Sequence, residues 1–211
     1  MNFLKNINIG FKLKDGLKIR ENLNQYFSQY KNEISFQKHP LGFKYFKLGN
    51  VSESEEFRLH FWINTIEKHD KDLQIHDHSF AFESFVLNGS IVNNKYKIIS
   101  STNFDGYVYD VKFRNEKSKL ILNQENCSIE LEESVEINVG EFYKMSSNDF
   151  HESINNEDLT VTLLKITKSY NKVSRVFSPK KLNTLNSFER VNLTFDENKK
   201  LIDKIIKITH H

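Results

Sequence analysis

Hydrophobic and polar residues alternate along the middle of the chain from about residue 41. The clearest example is residues 57–64, where Phe57, Leu59, Phe61 and Ile63 alternate with Arg58, His60, Trp62 and Asn64. Because successive side chains of a strand point to opposite faces, this pattern predicts a strand with two unlike faces. Further strands are predicted at residues 43–48, 74–79, 82–88, 90–99, 107–113, 119–123, 128–132, 135–138, 141–145 and 159–167. Together with turns at Asp105-Gly106 and Asn115–Ser118, these short strands favour a β-sandwich or β-barrel.

Two segments near the ends follow the helical period instead. Residues 15–34 predict a helix that Asp15 can cap, and its apolar stripe consists of Ile19, Leu23, Tyr26, Phe27, Tyr30 and Ile34. Near the other end, Thr194–Glu197 forms a capping box ahead of an apolar face of Leu201, Ile202, Ile205 and Ile208. We expect both helices to pack on the outside of the β domain. Partner binding or a lid function for the first helix stays open as an alternative.

The chain of 211 residues has no internal repeat, low-complexity tract or linker rich in proline and glycine. This predicts one domain with extensions: a helical extension at residues 1–40, a β domain at 41–180 and a helical tail at 181–211. A chain of this length can bury a substantial core without disulfides.

Composition excludes few functions. The 30 basic and 28 acidic residues give a formal charge of +2, which offers no argument for a nucleic-acid or membrane partner. A single cysteine, Cys127, suits a reducing compartment. The sequence shows neither an apolar run of signal-peptide length at its start nor a stretch approaching the ~20 apolar residues of a membrane span. A cytoplasmic protein is therefore the expectation.

The residues with the most evident chemistry lie between positions 74 and 89. His76 and His78 are two residues apart, so a strand would place both rings on one face. Glu83 follows five residues later, an odd offset, so a bend within 79–82 would be needed to return it to that face. Two imidazoles and a carboxylate are suitable ligands for a divalent transition metal. A fourth ligand would come from a distant segment.

The spacing His76-x-His78-x4-Glu83-x5-Gly89 resembles the first conserved motif of the cupin superfamily. Its departures are Asp70 where glycine is usual and a final glycine that comes one residue early.

A second stretch, Gly140-x5-Ser146-x-Asn148-x2-His151-x3-Asn155, resembles the second cupin motif. Ser146 and Asn148 replace the usual proline and glycine, and asparagine tolerates the left-handed backbone that glycine would supply. The segments around Arg58-Leu-His60-x-Trp62 and after Thr162 are also similar to those of a poorly characterised bacterial cupin subgroup.

The resemblance implies a mainly β fold, a single cupin-type double-stranded β-barrel (jelly roll) with N-terminal and C-terminal helical extensions. It further implies one divalent metal held by His76, His78, Glu83 and His151. Fe(II) is favoured, and Mn, Ni, Zn or Cu also suit these ligands. For Glu83, a salt bridge or an indirect supporting role is the alternative to ligation.

Arg58 and His60 are the candidate catalytic residues. If the polar face of their strand points inward, Arg58 can hold a carboxylate and His60 can act as an acid, a base or a support for a ligand. If that face points outward, the two are solvated and the apolar face fills the barrel. Tyr107 and Tyr109 are expected in the core. Cys127 and Tyr143 resemble the thioether pair of cysteine dioxygenases in residue type but not in spacing, so we expect both to be structural.

The resemblance to cupins implies a metal-dependent enzyme acting on a small molecule, foremost an Fe(II)-dependent oxygenase. A metal-dependent isomerase or lyase is the second hypothesis, and a non-catalytic cupin that binds a small ligand is the third. Homodimerisation is a further expectation from the family.

Overall fold

The computed structural model describes residues 2–63, 71–100, 106–114, 117–169, 172–182 and 187–210. Its helices are α1 Phe3–Leu13, α2 Gly16–Tyr30 and α3 Phe195–Thr209, and a short 3-10 helix covers Lys71–Leu73. The strands are β1 Gln37–Lys38, β2 Lys44–Asn50, β3 Glu55–Ile63, β4 Phe80–Asn88, β5 Ser90–Ser100, β6 Gly106–Arg114, β7 Lys117–Asn138, β8 Phe142–Met145, β9 Phe150–Ile154, β10 Leu159–Lys168, β11 Ser174–Ser178, β12 Ser187–Glu189 and β13 Val191–Asn192. Asn64, Asp70, Asp105, Asn115 and Glu116, which entered the predictions above, lie outside the described residues.

The strands form two antiparallel sheets. Sheet A has the order β13-β1-β2-β3-β10-β4-β8, and sheet B has the order β11-β6-β7-β5-β9, with β12 paired to β7. The described strands do not close into a barrel. The mainly β class is therefore confirmed in the form of two packed sheets, whereas the jelly-roll barrel stays a prediction.

Most predicted strands are present within a few residues of their expected bounds. Two predictions differ. The three strands expected within residues 119–138 are one continuous strand, β7, and the strand expected at 74–79 is wrong, because that segment contains only an isolated bridge at His76. The pattern does not predict β9 or β11, both of which turn out to position the candidate site.

The helices cover the outer face of sheet A. Asp15 caps α2 by accepting a hydrogen bond from the Lys18 N–H at 2.9 Å, as the sequence predicts. The capping box of Thr194 and Glu197 at the start of α3 is also confirmed. Helix α1 was not predicted, although its buried positions follow a helical stripe of Phe3, Ile7, Gly10 and Phe11.

The main core lies between these helices and sheet A. Its sheet residues include Phe57, Leu59 and Phe61, and its helix residues include Ile19 and Leu23, all less than 1% exposed. Since the apolar face of β3 is directed to the helices, its polar face points inward, between the two sheets. Of the two orientations left open for Arg58 and His60, the structure shows the inward one.

The connection between β4 and β5 is a tight turn that requires glycine. Gly89 has φ +70°, and a Cβ atom there would lie 2.6 Å from Thr160 Oγ1 and 2.7 Å from the Leu159 carbonyl oxygen. The Asn88-Gly89 turn therefore depends on its glycine. It carries the chain from sheet A to sheet B.

Candidate metal centre

His76 and His78 lie on the segment between the 3-10 helix and β4, and this segment is held against β9 by backbone hydrogen bonds. The His76 N–H donates to the His151 carbonyl at 2.9 Å, and the His151 N–H donates to the His76 carbonyl at 2.8 Å. Residues paired in this way across an antiparallel bridge present their side chains on the same face. The backbone alone therefore places the rings of His76 and His151 side by side.

Asp77 lies between the two histidines and points the opposite way. Its carboxylate accepts hydrogen bonds from the Arg175 backbone N–H at 2.5 Å and the Arg175 Nε at 2.8 Å, and it is 1% exposed. Burial raises the pKa of Asp77, and the Arg175 guanidinium opposes that rise. This pair ties the histidine segment to β11.

The position of His78 depends on the turn before β9. The Asn148 N–H donates to the His78 carbonyl at 3.1 Å, and Asn148 adopts a left-handed conformation with φ +73°. Asparagine thus supplies the backbone geometry for which related motifs use glycine, as expected from the sequence. His78 also stacks on Phe80, with ring centroids 4.6 Å apart.

The three histidines converge. Each offers one ring nitrogen within 4.8 Å of the others. Nε2 of His78 lies 3.0 Å from Nε2 of His151, and Nδ1 of His76 lies 2.7 Å from the Gln74 carbonyl oxygen. Two nitrogens each about 2.0–2.1 Å from one metal ion, at a right angle, are about 3 Å apart. Fixing Nδ1 of His76 on a carbonyl leaves its Nε2 available, the arrangement usual for a metal-binding histidine.

The electrostatics of the cluster suit a cation. Burial lowers the pKa of His76, and it lowers the pKa values of His78 and His151 well below the ordinary histidine range. All three rings are therefore neutral near pH 7, the form that coordinates metal. His151 Nδ1 is buried and has no hydrogen-bond partner among the described residues. The residues present fit a divalent transition metal held by His76, His78 and His151.

Glu83 does not join these histidines. It lies on the same face of β4 as Phe85 and Leu87, which pack in the helix-covered core, and its carboxylate pairs with Lys14 at the end of α1. The salt-bridge alternative therefore describes Glu83 in this structure, and the ligand role implied by the motif stays a prediction. The physical reason is parity: from Phe80 onward β4 is a regular strand, so Phe80 and Phe82 point toward the histidines and Glu83 points away.

Arg58 and His60 line the space between the sheets, on the face of β3 that points toward sheet B. Arg58 donates from Nε to Glu56 at 2.5 Å, and its guanidinium lies 5.3 Å from the ring of Phe80. Burial raises the pKa of Glu56, but the charge and hydrogen bonds of Arg58 outweigh this and hold it below its ordinary value. Burial, with a smaller effect of Arg58, lowers the pKa of His60 to about 3.

His39 is a nearby histidine that the sequence analysis did not single out. It stacks on Phe43 at 4.3 Å, and Phe43 stacks on His60 at 4.5 Å. Its Nδ1 accepts a hydrogen bond from the Leu41 N–H at 3.2 Å, which places its proton on Nε2. Burial, followed by the charge of Arg190, lowers its pKa well below the ordinary value. No motif spacing relates His39 to the candidate metal ligands, and only its stacking on Phe43, which in turn stacks on His60 of β3, reveals its position.

The remaining candidates are Tyr109 and Cys127, which pack in separate hydrophobic clusters, and Tyr143, which lies on the side of the histidines. Tyr109 is fully buried, and its hydroxyl accepts from the Leu182 N–H at 2.8 Å, in agreement with a core role. Cys127 packs with Val108 in a separate cluster and donates to the Gly106 carbonyl. Tyr143 instead packs against Phe82, with ring centroids 5.9 Å apart, on the same side as the histidines.

Two surface pockets contain none of these residues. One, of 660 Å³, lies between the helices and β2 and is lined by Phe3, Tyr26, Tyr30 and Phe46 among others. The second, of 330 Å³, lies beside α3. The candidate metal-binding and catalytic residues therefore lie at the histidine cluster and between the sheets, and not in these two pockets.

Comparisons with known proteins identify no family. No protein family model matches the chain, and no curated protein does. Among solved structures, a chain from the crystal structures of the DMSP lyases RdDddP and RnDddQII aligns over 63% of this chain and 51% of its own length, with 14% sequence identity and a TM-score of 0.38. At that similarity the alignment carries no argument about fold or function. The likeness to cupins therefore rests on the motif residues alone. In the part of the chain that the structure describes, no helix is long and apolar enough to cross a membrane.

The geometry predicts which substitutions abolish metal binding. His151→Ala should remove a ligand and reduce affinity for Zn(II) or Ni(II) by more than the roughly 10–100-fold typical of losing an indirect partner. Glu83→Gln, the matched control, should bind one ion per chain with unchanged affinity, because its carboxylate is paired with Lys14. Calorimetric titration of metal-free protein measures both. Loss of affinity in Glu83→Gln equal to that in His151→Ala would contradict the three-histidine assignment.

The pKa of His60 predicts an acid sensitivity of the fold. Unfolded histidine titrates near about 6.5, whereas buried His60 titrates at about 3. As the pH falls through this interval the unfolded chain takes up a proton that the folded chain does not. The free energy of unfolding should fall by up to about 1.4 kcal/mol per pH unit for this one residue.

His60→Gln removes this contribution. Urea unfolding of the metal-free protein, measured from about pH 7.5 to about pH 5, should show a shallower slope in the variant by that amount. Equal slopes in the two proteins would contradict the prediction, because they would mean that the pKa of His60 is the same in the folded and unfolded states.

Proposed function

We propose that this protein is a metal-dependent enzyme of cupin type that acts on a small anionic molecule. The observation that carries the proposal is the convergence of His76, His78 and His151, with their ring nitrogens within 4.8 Å of one another, beside an interior face that carries polar side chains. When bound, a divalent metal would supply Lewis acidity and, in the case of iron, redox chemistry. Three protein ligands leave positions for substrate, as catalytic sites require.

The charge balance favours an anionic substrate. The three histidines are neutral, so a metal held by them keeps its full positive charge. Three carboxylates on the histidine segment and on strands β3 and β4 are already paired: Asp77 with Arg175, Glu83 with Lys14 and Glu56 with Arg58. A carboxylate or similar anion from the substrate would supply the missing negative charge.

Arg58 and His60 are proposed to position that substrate. Arg58 uses Nε and one terminal nitrogen on Glu56, and its guanidinium has five N–H donors in all, so donors remain for a carboxylate. His60 is neutral and makes no hydrogen bond among the described residues, so one ring nitrogen can donate and the other can accept. Lys47 is opposite Arg58 in the register of β2 and β3 and adds positive charge to this edge.

Within this class, an Fe(II)-dependent oxygenase is the foremost proposal. Burial makes His60 a weak base, with a pKa of about 3, and it raises the pKa of Tyr143. Neither group exchanges a proton readily near neutral pH. An oxygenase, which relies on a redox change of the metal, does not require such a group as a general base, whereas proton abstraction does.

A metal-dependent isomerase or lyase is the second candidate. It is favoured by the location of the Tyr143 hydroxyl near Ser84 and Asn93, which act to lower its pKa against the effect of burial. A bound cation would act in the same direction and make Tyr143 a better proton donor or acceptor. The jelly-roll topology, a homodimer and a cytoplasmic location remain predictions from the resemblance.

The test is to load metal-free protein with Fe(II) under nitrogen and to screen small carboxylic acids, amino acids and phenols for oxygen uptake. Substrate-dependent oxygen uptake is expected with iron but not with zinc, because zinc has no accessible redox change. The uptake should be lost in His151→Ala, because this variant lacks one of the three candidate ligands. Arg58→Gln should raise KM more than it lowers kcat, since Arg58 is proposed to bind substrate. Equal turnover with zinc and without oxygen would favour the isomerase or lyase, and binding without turnover would contradict an enzyme.

A further inference from the structure

Ser84, Asn93 and Tyr143 form a polar cluster between the two sheets that the foremost proposal, the oxygenase, does not use. Ser84 is fully buried and Asn93 is 7% exposed. By distance and angle, neither Ser84 Oγ nor Asn93 Nδ2 makes a hydrogen bond to a described residue, although both lie close enough to the Tyr143 hydroxyl to act on its pKa. Buried polar atoms without partners are rare, because leaving them unpaired costs about 1–3 kcal/mol each.

The strand register places this cluster two residues farther along β4 and β5 than the level of the histidines. On sheet A, Phe82 contacts His78 and His151, and Ser84 is two residues farther along β4, opposite Tyr143 on β8. On sheet B, Lys95 is opposite His151, and Asn93 is two residues farther along β5. Two residues of a strand span about 7 Å. Both sheets therefore place the cluster about 7 Å beyond the level of the histidines.

The side chains around the cluster are apolar. Phe82, Met145 and Leu164 belong to the apolar group on the histidine side, and Val86 and Ile91 belong to the group on the deeper side. Tyr143 packs against both groups and is only partly buried. Ser84 and Asn93 are thus the polar part of an otherwise apolar interior, and the partly buried Tyr143 lies between them and the apolar group on the histidine side.

The free atoms are hydrogen-bond donors. The Ser153 hydroxyl donates to Asn93 Oδ1 at 2.6 Å, which orients the amide so that its NH2 group is the unpaired side. The hydroxyls of Ser84 and Tyr143 can donate as well. Three donors in one place suit an oxygen acceptor, above all a carboxylate, which accepts several hydrogen bonds at once.

We propose that Ser84, Asn93 and Tyr143 bind an oxygen-bearing group of the substrate, a carboxylate or a ketone, while the other end of the same molecule meets the metal. This inference rests on the proposed function, because it places the substrate's first anionic group at the three histidines. The substrate class is then a short-chain acid with a second oxygen function a few bonds from the first.

The experiment compares acids that differ only in the far group. Succinate is matched with butyrate, and glutarate with valerate, so chain lengths are equal. Binding to the Co(II)-loaded protein is followed by the visible spectrum of the cobalt, which reports the metal end of the probe. At least one dicarboxylate should bind about tenfold or more tighter than its matched monocarboxylate, the gain expected for hydrogen bonds to a charged group. Tyr143→Phe and Ser84→Ala should each remove most of this preference and leave the monocarboxylate affinity unchanged.

Stability gives a second readout that needs no metal. Ser84→Ala should leave the urea midpoint of the metal-free protein unchanged or raised, because it removes an unpaired buried hydroxyl. Ser90→Ala is the matched control: Ser90 is 8% exposed, and its hydroxyl donates to Glu136 at 3.3 Å. It should lower the midpoint and leave the dicarboxylate preference intact.

The outcomes separate the two proposals. A protein that binds cobalt and binds each dicarboxylate no better than its matched monocarboxylate would overturn the second binding point and leave the metal centre standing. Failure to bind cobalt at all would overturn the proposed function and the inference with it. A Ser84→Ala protein destabilised as much as Ser90→Ala would also overturn the inference, since the hydroxyl would then have a structural partner.

Discussion

The candidate site depends on how residues 76–78 are fixed between β9 and β11. His76 is hydrogen-bonded through its backbone to His151, and Asp77 is buried against Arg175 on the opposite side. The Asp77 side chain is fully buried whereas that of Arg175 is 33% exposed, so removing Arg175 would leave a buried carboxylate without its cation, and the pair constrains the segment. Because the three side chains alternate, fixing Asp77 on one face directs His76 and His78 to the other. The candidate metal ligands are therefore positioned by a residue that points away from them.

The charges around the site explain why it suits a metal cation and why that cation would in turn attract an anionic substrate. Three neutral imidazoles bring no negative charge, and the carboxylates of Asp77, Glu83 and Glu56 are paired with basic residues on other parts of the fold. A cation bound there is not neutralised by its ligands. Arg58 on β3 and Lys47 on the neighbouring strand β2 add further positive charge. Deeper in the interior, the hydrogen-bond donors of Ser84, Asn93 and Tyr143 also favour electron-rich groups.

Features encoded locally were predictable from the sequence. The caps at Asp15 and Thr194 follow from residue type, and most strands follow from alternation. The left-handed conformation of Asn148 follows from its place in the motif, and the three histidines from their spacing. Glu83 was not predictable, because its face depends on whether β4 bends near its start, and the odd offset from His78 allowed either result. The orientation of Arg58 and His60 was likewise undecided until helices were seen to cover the apolar face of β3. His39, Ser84 and Asn93 enter the site only through tertiary packing and strand register.

The most direct test of the account is X-ray absorption at the metal edge of Zn(II)-loaded protein, compared with Glu83→Gln and His78→Ala. Imidazole rings give a distinctive scattering pattern beyond the nearest atoms, so the ligands can be counted. The account predicts three imidazoles in the wild type, an unchanged spectrum in Glu83→Gln and two imidazoles in His78→Ala. A spectrum that loses an oxygen ligand in Glu83→Gln, or that is unchanged in His78→Ala, would contradict a centre built from His76, His78 and His151.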